Sequence, residues 1–392
     1  MMNLSAIQDA IRQEGVDGWL FFDHHVRDPL AYRVLGLPLN MHVTRRWYYF
    51  IPAQGEPGKM VHRIEAGHLD SLPGSKFVYS SWDTQRDGLQ KLLSGSRRIA
   101  MQYSPLCAIP YVAMVDAGTI ELVRVAGVEE IHSSADLIQM FEARWTAEQY
   151  EMHVQAGTLV DRIRREAFEW IGTRHRAQST VTEFGVQQFI MERFSEASLE
   201  TDHPPIVAVN ANASDPHYAP SAEAQVEIRP GDSVLIDLWA KLIKPQAVFY
   251  DITWMGYCGV TPPDRLVNVF AVGMEARDAA VTLVAKAAEE GRGLQGFEVD
   301  DACRGVIKAH GYGEYFVHRT GHSIGTDVHG SGANMDNLET HDVRRIIPGT
   351  CFSVEPGIYL AEFGVRTEVN VYVGEHRAGV TGEVQRKLVE VV

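Results

Sequence analysis

Five separated places in the second half of the sequence put a potential metal ligand inside a strand-like apolar run. An ionised side chain in such a run is costly to bury unless it is paired or binds a cation. Each place is weak evidence when taken alone, because a single acid in a strand more often forms a turn or a salt bridge. The places are Asp237, Asp251, residues 318–329, Glu355 and Glu368.

The segment over residues 318–329, HRTGHSIGTDVH, holds three histidines in twelve positions. On a helix, His318 and His322 would share one face. Thr320 and Gly321, however, disfavour a helix. We therefore expect an extended chain, which places residues 318, 320 and 322 on one face. A histidine-bearing surface strand is the alternative that these residues leave open.

In this order, the motifs resemble those of the pita-bread metallopeptidases of family M24, which include methionine aminopeptidase, aminopeptidase P and prolidase. The segments HRTGHSIGTDVH (318–329) and FSVEPGIY (352–359) carry most of the resemblance, which covers about residues 146–392. The preceding residues resemble the creatinase-type N-terminal domain of aminopeptidase P and prolidase, which methionine aminopeptidase lacks. The resemblance implies an α+β protein, with a smaller α/β domain over residues 1–143 and a pita-bread catalytic domain over residues 144–392.

The resemblance also implies the ligands of two divalent metal ions. Asp237 would bind the first ion, while Asp251 and Glu368 would bridge both ions. His322 and Glu355 would complete the coordination of the second ion. Four carboxylates offset the charge of two such ions, and an added hydroxide leaves a net charge of about −1. Oxygen-dominated ligation with one imidazole favours Mn²⁺, with Co²⁺, Zn²⁺ or Fe²⁺ as alternatives.

Further residues match positions that the family uses around the substrate. Glu355 would act as general base and acid between water and the leaving nitrogen. His329 would donate a hydrogen bond to the scissile carbonyl. His217 and His318 would flank the residue after the scissile bond. Arg366 would orient a metal-bound carboxylate, with a plain surface ion pair as the alternative.

Two features depart from the family pattern. Asp237 and Asp251 lie three positions further apart than is usual. We expect the turn of a hairpin to absorb the extra residues, because loops tolerate insertions cheaply. Trp254 stands where many relatives carry arginine, which leaves the surroundings of the ligands and the substrate preference open.

Through this resemblance we expect metal-dependent hydrolysis of the peptide bond before proline, by an Xaa-Pro aminopeptidase or an Xaa-Pro dipeptidase. The alternatives are another C–N hydrolase of this fold with a non-proline substrate and a non-catalytic binding protein on the same scaffold. A cation that receives the free carboxylate of a dipeptide would separate prolidase from aminopeptidase P. The candidates are Arg27, Arg33, Arg45 and Arg46. Family members commonly form dimers or tetramers, so we expect a homodimer or a homotetramer.

The composition limits the partners and the location. The sequence has 36 basic and 51 acidic side chains and a formal charge of −15, which disfavours nucleic acid and anionic membranes as partners and favours small ligands. The first residues lack the pattern of a secretory signal, and no stretch approaches the ~18 apolar residues of a membrane span. Four cysteines without CxxC spacing indicate reduced thiols. We therefore expect a cytoplasmic protein.

Helices and strands must position the candidate site residues, and the sequence predicts such elements in both parts of the chain. In the first part, apolar and aromatic runs predict strands over residues 19–22, 47–51, 98–103 and 120–125, with a hairpin between 47–51 and 60–61. In the second part, Thr146 and Gln149 have capping-box form and open a long amphipathic helix. The same patterns predict helices over about residues 182–194, 264–290 and 299–309, and strands over 206–209 and 233–238.

Overall fold

The computed structural model describes residues 2–392. The chain divides into two compact units, Met1–Glu142 and Ala143–Val392. This division lies one residue before the boundary expected from the sequence. Both units combine helices with sheets. Within residues 2–392, none of the helices has the length and apolar character that a membrane crossing requires.

The N-terminal unit has one mixed sheet of six strands in the part that the structure describes. Its helices are α1 (Leu4–Gln13), α2 (Pro29–Leu35), α3 (Trp82–Leu92), α4 (Ala117–Val125) and α5 (Ala135–Glu142). Its strands are β1 (Gly18–Asp23), β2 (Trp47–Pro52), β3 (Gly58–His62), β4 (Ser75–Tyr79), β5 (Arg98–Met101) and β6 (Glu130–Ser133). The strand order is β4-β3-β2-β1-β5-β6. β1, β2 and β3 are antiparallel, and the other neighbours are parallel.

Strand β1 lies at the centre of this sheet and is buried along its whole length. Trp19 and Phe21 pack in one apolar cluster, and Leu20 and Phe22 pack in another. Successive side chains of a strand point to opposite faces, so both faces of the sheet are covered. The predicted hairpin is confirmed by the antiparallel pairing of β2 with β3.

The prediction of a strand over residues 120–125 is wrong, because these residues belong to helix α4. Asp116 caps this helix by accepting a hydrogen bond from the backbone N–H of Thr119. Ile120 and Val123 are three positions apart and are buried together on one helix face. Their β-branched side chains suggested a strand, but the cap and the packing favour a helix.

The C-terminal unit contains four long helices and several small sheets within the described residues. The helices are α6 (Ala147–Arg176), α7 (Glu183–Glu196), α8 (Asp264–Glu289) and α9 (Gly296–Ala309). The strands are β7 (Leu199–Glu200), β8 (Ile206–Val209), β9 (Ser233–Leu242), β10 (Tyr250–Tyr257), β11 (Ser323–Ile324), β12 (Thr350–Val354), β13 (Gly357–Tyr359), β14 (Gly364–Arg366), β15 (Val369–Val373), β16 (Ala378–Val380) and β17 (Val389–Glu390). All four predicted helices are confirmed, with starts that differ by at most three residues.

Three sheets connect these strands. β9 is central to the first, with β7, β8 and β10 as antiparallel neighbours, and β17 is parallel to β10. The second sheet has the order β11-β12-β15-β16, and β13 pairs with β14 in the third. Helix α6 begins at the predicted capping box, in which Thr146 and Gln149 bond to each other's backbone N–H.

Strands β9 and β10 present two different faces. Ile236 and Ile252 point to an apolar cluster that includes residues of α6 and α7. Leu235 and Met255 point to a second cluster that includes residues of α8 and α9. The strand period of two therefore places Asp237 and Asp251 on the face of Leu235 and Met255.

Candidate metal centre

Asp237 and Asp251 come from the paired strands β9 and β10. The register pairs Asp237 with Thr253 and Asp251 with Trp239, so all four side chains share one face. The residues between the strands form a loop over 243–249, and pairing is regular up to Ala240 and Tyr250. The expectation that a hairpin absorbs the longer spacing is therefore confirmed.

His322 and Glu355 are placed by the first strands of the neighbouring sheet. The backbone N–H of Ser353 donates to the carbonyl of His322, and the N–H of His322 donates to Ser353 Oγ. Ser353 Oγ also donates to Glu355 Oε1 over 3.2 Å. A Cβ on Gly321 would lie 1.8 Å from the carbonyl oxygen of Ser353, so only glycine permits this close approach. The segment is extended rather than helical, as expected from the sequence.

Glu368 lies just before β15 and is held against β10. Its backbone N–H donates to the carbonyl of Thr253, and Thr253 Oγ1 donates to Glu368 Oε2 over 2.8 Å. Asn370 donates to the carbonyl of Asp251 and accepts from its N–H, at 2.7 and 3.2 Å. These bonds bring Glu368 and Asp251 together although 117 positions separate them in the sequence.

Three of the predicted acidic ligands, Asp251, Glu355 and Glu368, lie around the imidazole of His322. One ligand atom each of Asp251, His322 and Glu368 lies within 4.8 Å of the others. His322 Nε2 is 3.5 Å from Asp251 Oδ2 and 3.6 Å from Glu355 Oε1. Its Nδ1 faces the carbonyl of Ser323, which leaves Nε2 directed at the acids.

Asp237 lies outside this tightest group of three. Its Oδ2 accepts a 2.6 Å hydrogen bond from Arg366 Nη2. Arg366 is buried and also donates to Thr253 Oγ1 and to the hydroxyl of Tyr359. The guanidinium therefore connects both aspartate strands with the FSVEPGIY motif, and it does not form a surface ion pair.

The buried acids strongly disfavour one another's charge. Burial, followed by the nearby carboxylates, raises the pKa of Asp251 and of Glu368 well above the ordinary values. Burial also raises the pKa of Glu355. Burial lowers the pKa of His322, so no protonated imidazole balances these acids.

The donor set fits divalent cations. Asp237 Oδ1 and Glu368 Oε1 are buried and have no hydrogen-bond partner. An orphaned carboxylate oxygen inside a protein is costly, and a cation removes this cost. Carboxylates with one imidazole are ligands for hard or borderline divalent metals. No thiolate joins this group of side chains.

The other sequence-predicted histidines differ in their placement. His329 packs edge-on against His322 with 4.3 Å between ring centroids, and His322 together with burial lowers the pKa of His329 to about 3. His318 Nε2 is 2.6 Å from the hydroxyl of Tyr359. Burial lowers the pKa of His318 to about 3. Both rings are therefore neutral near pH 7.

His217 lies on an exposed loop and makes no hydrogen bond to the acids. Its backbone N–H donates to Asp215, and the next residue, Tyr218, donates to Glu183 Oε2 over 2.6 Å. Glu183 is fully buried at the start of α7 and also accepts from Asn212. Hydrogen bonds to the buried carboxylate of Glu183 thus anchor the loop that carries His217.

Three residues of this site received no role from the sequence. Tyr359 links His318 to Arg366, Thr253 links Arg366 to Glu368, and Glu183 anchors the loop of His217. Thr253 could have been found, because strand alternation puts it on the face of Asp251. The other two depend on contacts between distant segments and have no local signal.

Trp254 faces away from the acids. It belongs to the cluster beneath α6, where the guanidinium of Arg164 lies 3.4 Å from its ring centroid. Its indole Nε1 is buried without a partner. The departure from the family pattern at this position therefore lies in the packing against α6 and not on the ligand face of β10.

Comparison with curated proteins finds relatives that are named Xaa-Pro dipeptidase. The chain is 27% identical over 311 residues to an Xaa-Pro dipeptidase of Lactobacillus helveticus, covering 77% of this chain and 73% of that protein. It is 31% identical over 217 residues to an Xaa-Pro dipeptidase of Lactobacillus delbrueckii subsp. lactis, covering 55% of this chain and 53% of that protein. The matches thus span between about half and three quarters of these relatives.

Comparison with solved structures and family models locates the fold and the family. Dipeptidase PepE from Mycobacterium ulcerans matches with a TM-score of 0.71 at 23% identity, covering 99% of this chain and 96% of that one. This likeness confirms the expected α+β fold with a pita-bread domain. The model described as metallopeptidase family M24 matches residues 151–375. That region is more than half of the sequence and holds all five predicted ligands, and the chain therefore belongs to metallopeptidase family M24.

Proposed function

We propose that the chain is a dinuclear-metal exopeptidase that hydrolyses the peptide bond before proline, as an Xaa-Pro aminopeptidase or an Xaa-Pro dipeptidase. The observation that carries this proposal is the grouping of Asp251, Glu355 and Glu368 around the neutral imidazole of His322, with the oxygens Asp237 Oδ1 and Glu368 Oε1 buried and unpartnered. The proline specificity follows the names of the relatives rather than a contact in the site.

The ligand assignment distributes the five side chains over two ions. Asp237 would hold the first ion, Asp251 and Glu368 would serve both ions, and His322 and Glu355 would hold the second. We propose Mn²⁺ as the native metal, with Co²⁺, Zn²⁺ or Fe²⁺ as alternatives. When bound, two such ions would lower the pKa of a water molecule and polarise the peptide carbonyl.

Glu355 is suited to hold and move a proton. Its pKa is raised by burial, which brings a carboxyl group closer to neutral pH and improves it as a general acid and base. Ser353 Oγ donates to Oε1 and orients the carboxyl group. Glu355 takes a proton from the attacking water and gives it to the leaving nitrogen.

The neutral histidines bind and orient the peptide. His329, which stays unprotonated near pH 7, keeps one ring N–H to donate to the scissile carbonyl oxygen as negative charge develops there. His318 and His217 flank the residue after the scissile bond. Tyr359 holds the His318 ring over 2.6 Å. Arg366 donates a hydrogen bond to Asp237 Oδ2 and leaves Asp237 Oδ1 without a partner.

The remaining assignments concern the wider context of the molecule. We propose small proline-containing peptides as substrates, a homodimer or homotetramer as the assembly, and the cytoplasm as the location. Residues 1–143 would form the creatinase-type domain and residues 144–392 the catalytic domain. Arg27, Arg33, Arg45 and Arg46 stay candidates for a dipeptide's carboxylate. They belong to the N-terminal unit, where Arg27 pairs with Asp116 at 3.6 Å.

The test is metal-dependent hydrolysis of matched peptides. Metal-stripped protein receives Mn²⁺, Co²⁺ or Zn²⁺ and then Xaa-Pro and Xaa-Pro-Yaa peptides, with the same peptides carrying alanine for proline as controls. We expect metal-dependent cleavage confined to the proline peptides, and the ratio of dipeptide to tripeptide turnover separates the two activities. Two bound metals without cleavage would point to another C–N bond, and no bound metal to a binding protein.

A further inference from the structure

A further acid, Asp202, stands beside the candidate metal centre without belonging to the ligand set. The indole N–H of Trp239 donates to Asp202 Oδ1 over 2.6 Å. Trp239 is half-buried and lies on the ligand face of β9, two residues after Asp237 and opposite Asp251. The carboxylate of Asp202 keeps 44% of its side-chain surface exposed. It is therefore held in place and still open to a ligand.

The ligand face of β9 has two chemically different ends. At the end that carries Asp237, Arg366 donates to Asp237 and to the hydroxyl of Tyr359, and this hydroxyl also contacts His318. At the other end, Trp239 packs with Phe249 and Ile324 in an apolar cluster. The first end thus holds a guanidinium and a histidine, whereas the second is aromatic and carries the acid Asp202 and the base Lys241, whose Nζ lies 4.8 Å from the ring centroid of Phe249.

The charge of Asp202 has no firm partner in the protein. Lys241 lies next along the same face of β9, but its Nζ donates to the carbonyl of Thr326 over 2.7 Å and lies 3.7 Å from Glu200. His203 Nδ1 is 3.5 Å from Asp202 Oδ2, on a ring that is 77% exposed. A histidine this exposed competes weakly with a ligand cation.

The direction of the bound peptide follows from the proposed function, on which this inference rests. There, His318 and His217 flank the residue after the scissile bond. The first residue of the peptide must then lie at the opposite end, beside Trp239 and Asp202. An indole face attracts a cation, and a carboxylate pairs with an ammonium or guanidinium group.

We infer that Trp239 and Asp202 form the wall of the first-residue pocket and select a lysine or arginine side chain there. The substrate class is therefore a short peptide with a cationic first residue followed by proline. Asp202 supplies the charge, and Trp239 supplies both a stacking face and the N–H that orients the carboxylate.

The test compares Arg-Pro with norleucine-Pro, which lacks the cationic group, or the same pair extended by alanine where only the longer peptides are cleaved. We expect kcat/KM to favour Arg-Pro by about tenfold, from one partly exposed ion pair and one cation–π contact. Asp202→Asn should bring this ratio close to one, mainly through KM. Trp239→Phe keeps an aromatic face but loses the N–H, and should lower the ratio less. Glu192→Gln removes an exposed acid of α7 and should keep the native ratio.

A native ratio near one would overturn the inference. So would an equal fall for both peptides in Asp202→Asn, because that result assigns Asp202 to the α-amino group or to folding. If no Xaa-Pro peptide is cleaved, the proposed function fails, and calorimetric titration with argininamide and norleucinamide decides the inference separately. Binding of argininamide that Asp202→Asn weakens and Glu192→Gln does not would support the pocket, and equal binding of both amides would overturn it.

Discussion

Buried carboxylates occur in both units of the chain, but their surroundings differ. In the N-terminal unit, Asp23 accepts hydrogen bonds from the backbone N–H groups of Val26, Arg27 and Asp28 and from the hydroxyl of Tyr32. In the C-terminal unit, Asp237 Oδ1 and Glu368 Oε1 have no donor. The acids of the first kind hold the chain in place, while those of the second kind leave lone pairs for a cation.

The comparison shows that burial of an acid does not by itself indicate a metal site. Asp23 is as buried as Glu368, at 1% and 2% exposure, yet its lone pairs are occupied by donors. The difference lies in the number of N–H and O–H groups that the fold brings to each carboxylate. Substitutions at the two kinds of carboxylate should therefore affect different properties, metal binding in one case and stability in the other.

The largest effect should come from Asp251→Asn. We expect hydrolysis to fall by about a thousandfold or more, because an amide is a poor bridging ligand. The metal-free variant should melt no lower than metal-free native protein, because the substitution removes repulsion among buried acids. Peptide turnover, metal content and thermal unfolding measure these outcomes. Full turnover with two bound metals would contradict the ligand assignment.

Thr253→Val should weaken metal binding without removing a ligand. Thr253 Oγ1 donates to Glu368 and accepts from Arg366, so valine leaves Glu368 unoriented. We expect metal affinity to fall by about 10- to 100-fold, the usual cost of losing a group that orients a ligand. Chelator competition measures it. Thr350→Val is the matched control, since Thr350 is also buried but bonds only to the carbonyl of Ile347.

Asp23→Asn should affect stability and leave the metal centre alone. The amide cannot accept from all four donors, and the loop it holds includes Val26 with a φ of 54°, which is unfavourable for a β-branched residue. We expect a loss of about 2 kcal/mol in the free energy of unfolding. Urea unfolding measures the loss. Asp116→Asn is the control, because asparagine still caps helix α4. Reduced metal content in Asp23→Asn would contradict the distinction between the carboxylates of the two units.

The smallest effect concerns the pH dependence of stability. Burial raises the pKa of Asp28 to about 7, whereas the pKa of an unfolded aspartate is about 3.9. The folded state therefore binds the proton more tightly, and this stability is present below about pH 4 and lost as the pH rises to about 7. We expect Asp28→Asn to remove about 1 kcal/mol of that decline between pH 6 and pH 7, measured by urea unfolding at these two pH values. An unchanged slope would show that Asp28 is ionised throughout.

The sequence predicted much of the framework of the site. The capping box at Thr146 and the apolar run around Asp237 are local patterns, and the structure has a helix and a strand there. The strand predicted over residues 120–125 shows the limit of such patterns. Its β-branched residues suit a strand or a helix face, and only the cap at Asp116 and the packing of Ile120 and Val123 decide between them.

The residue types of the candidate ligands, their order and the extended form of the HRTGH segment were therefore determined by the sequence itself. The tertiary structure alone decided which of these groups meet. It placed Glu368 against Thr253 and joined Asp202 to Trp239. The physical reason is that local preferences act over a few neighbouring residues. Whether a buried carboxylate finds donors, another acid or an open face depends on segments that only the packed fold brings together.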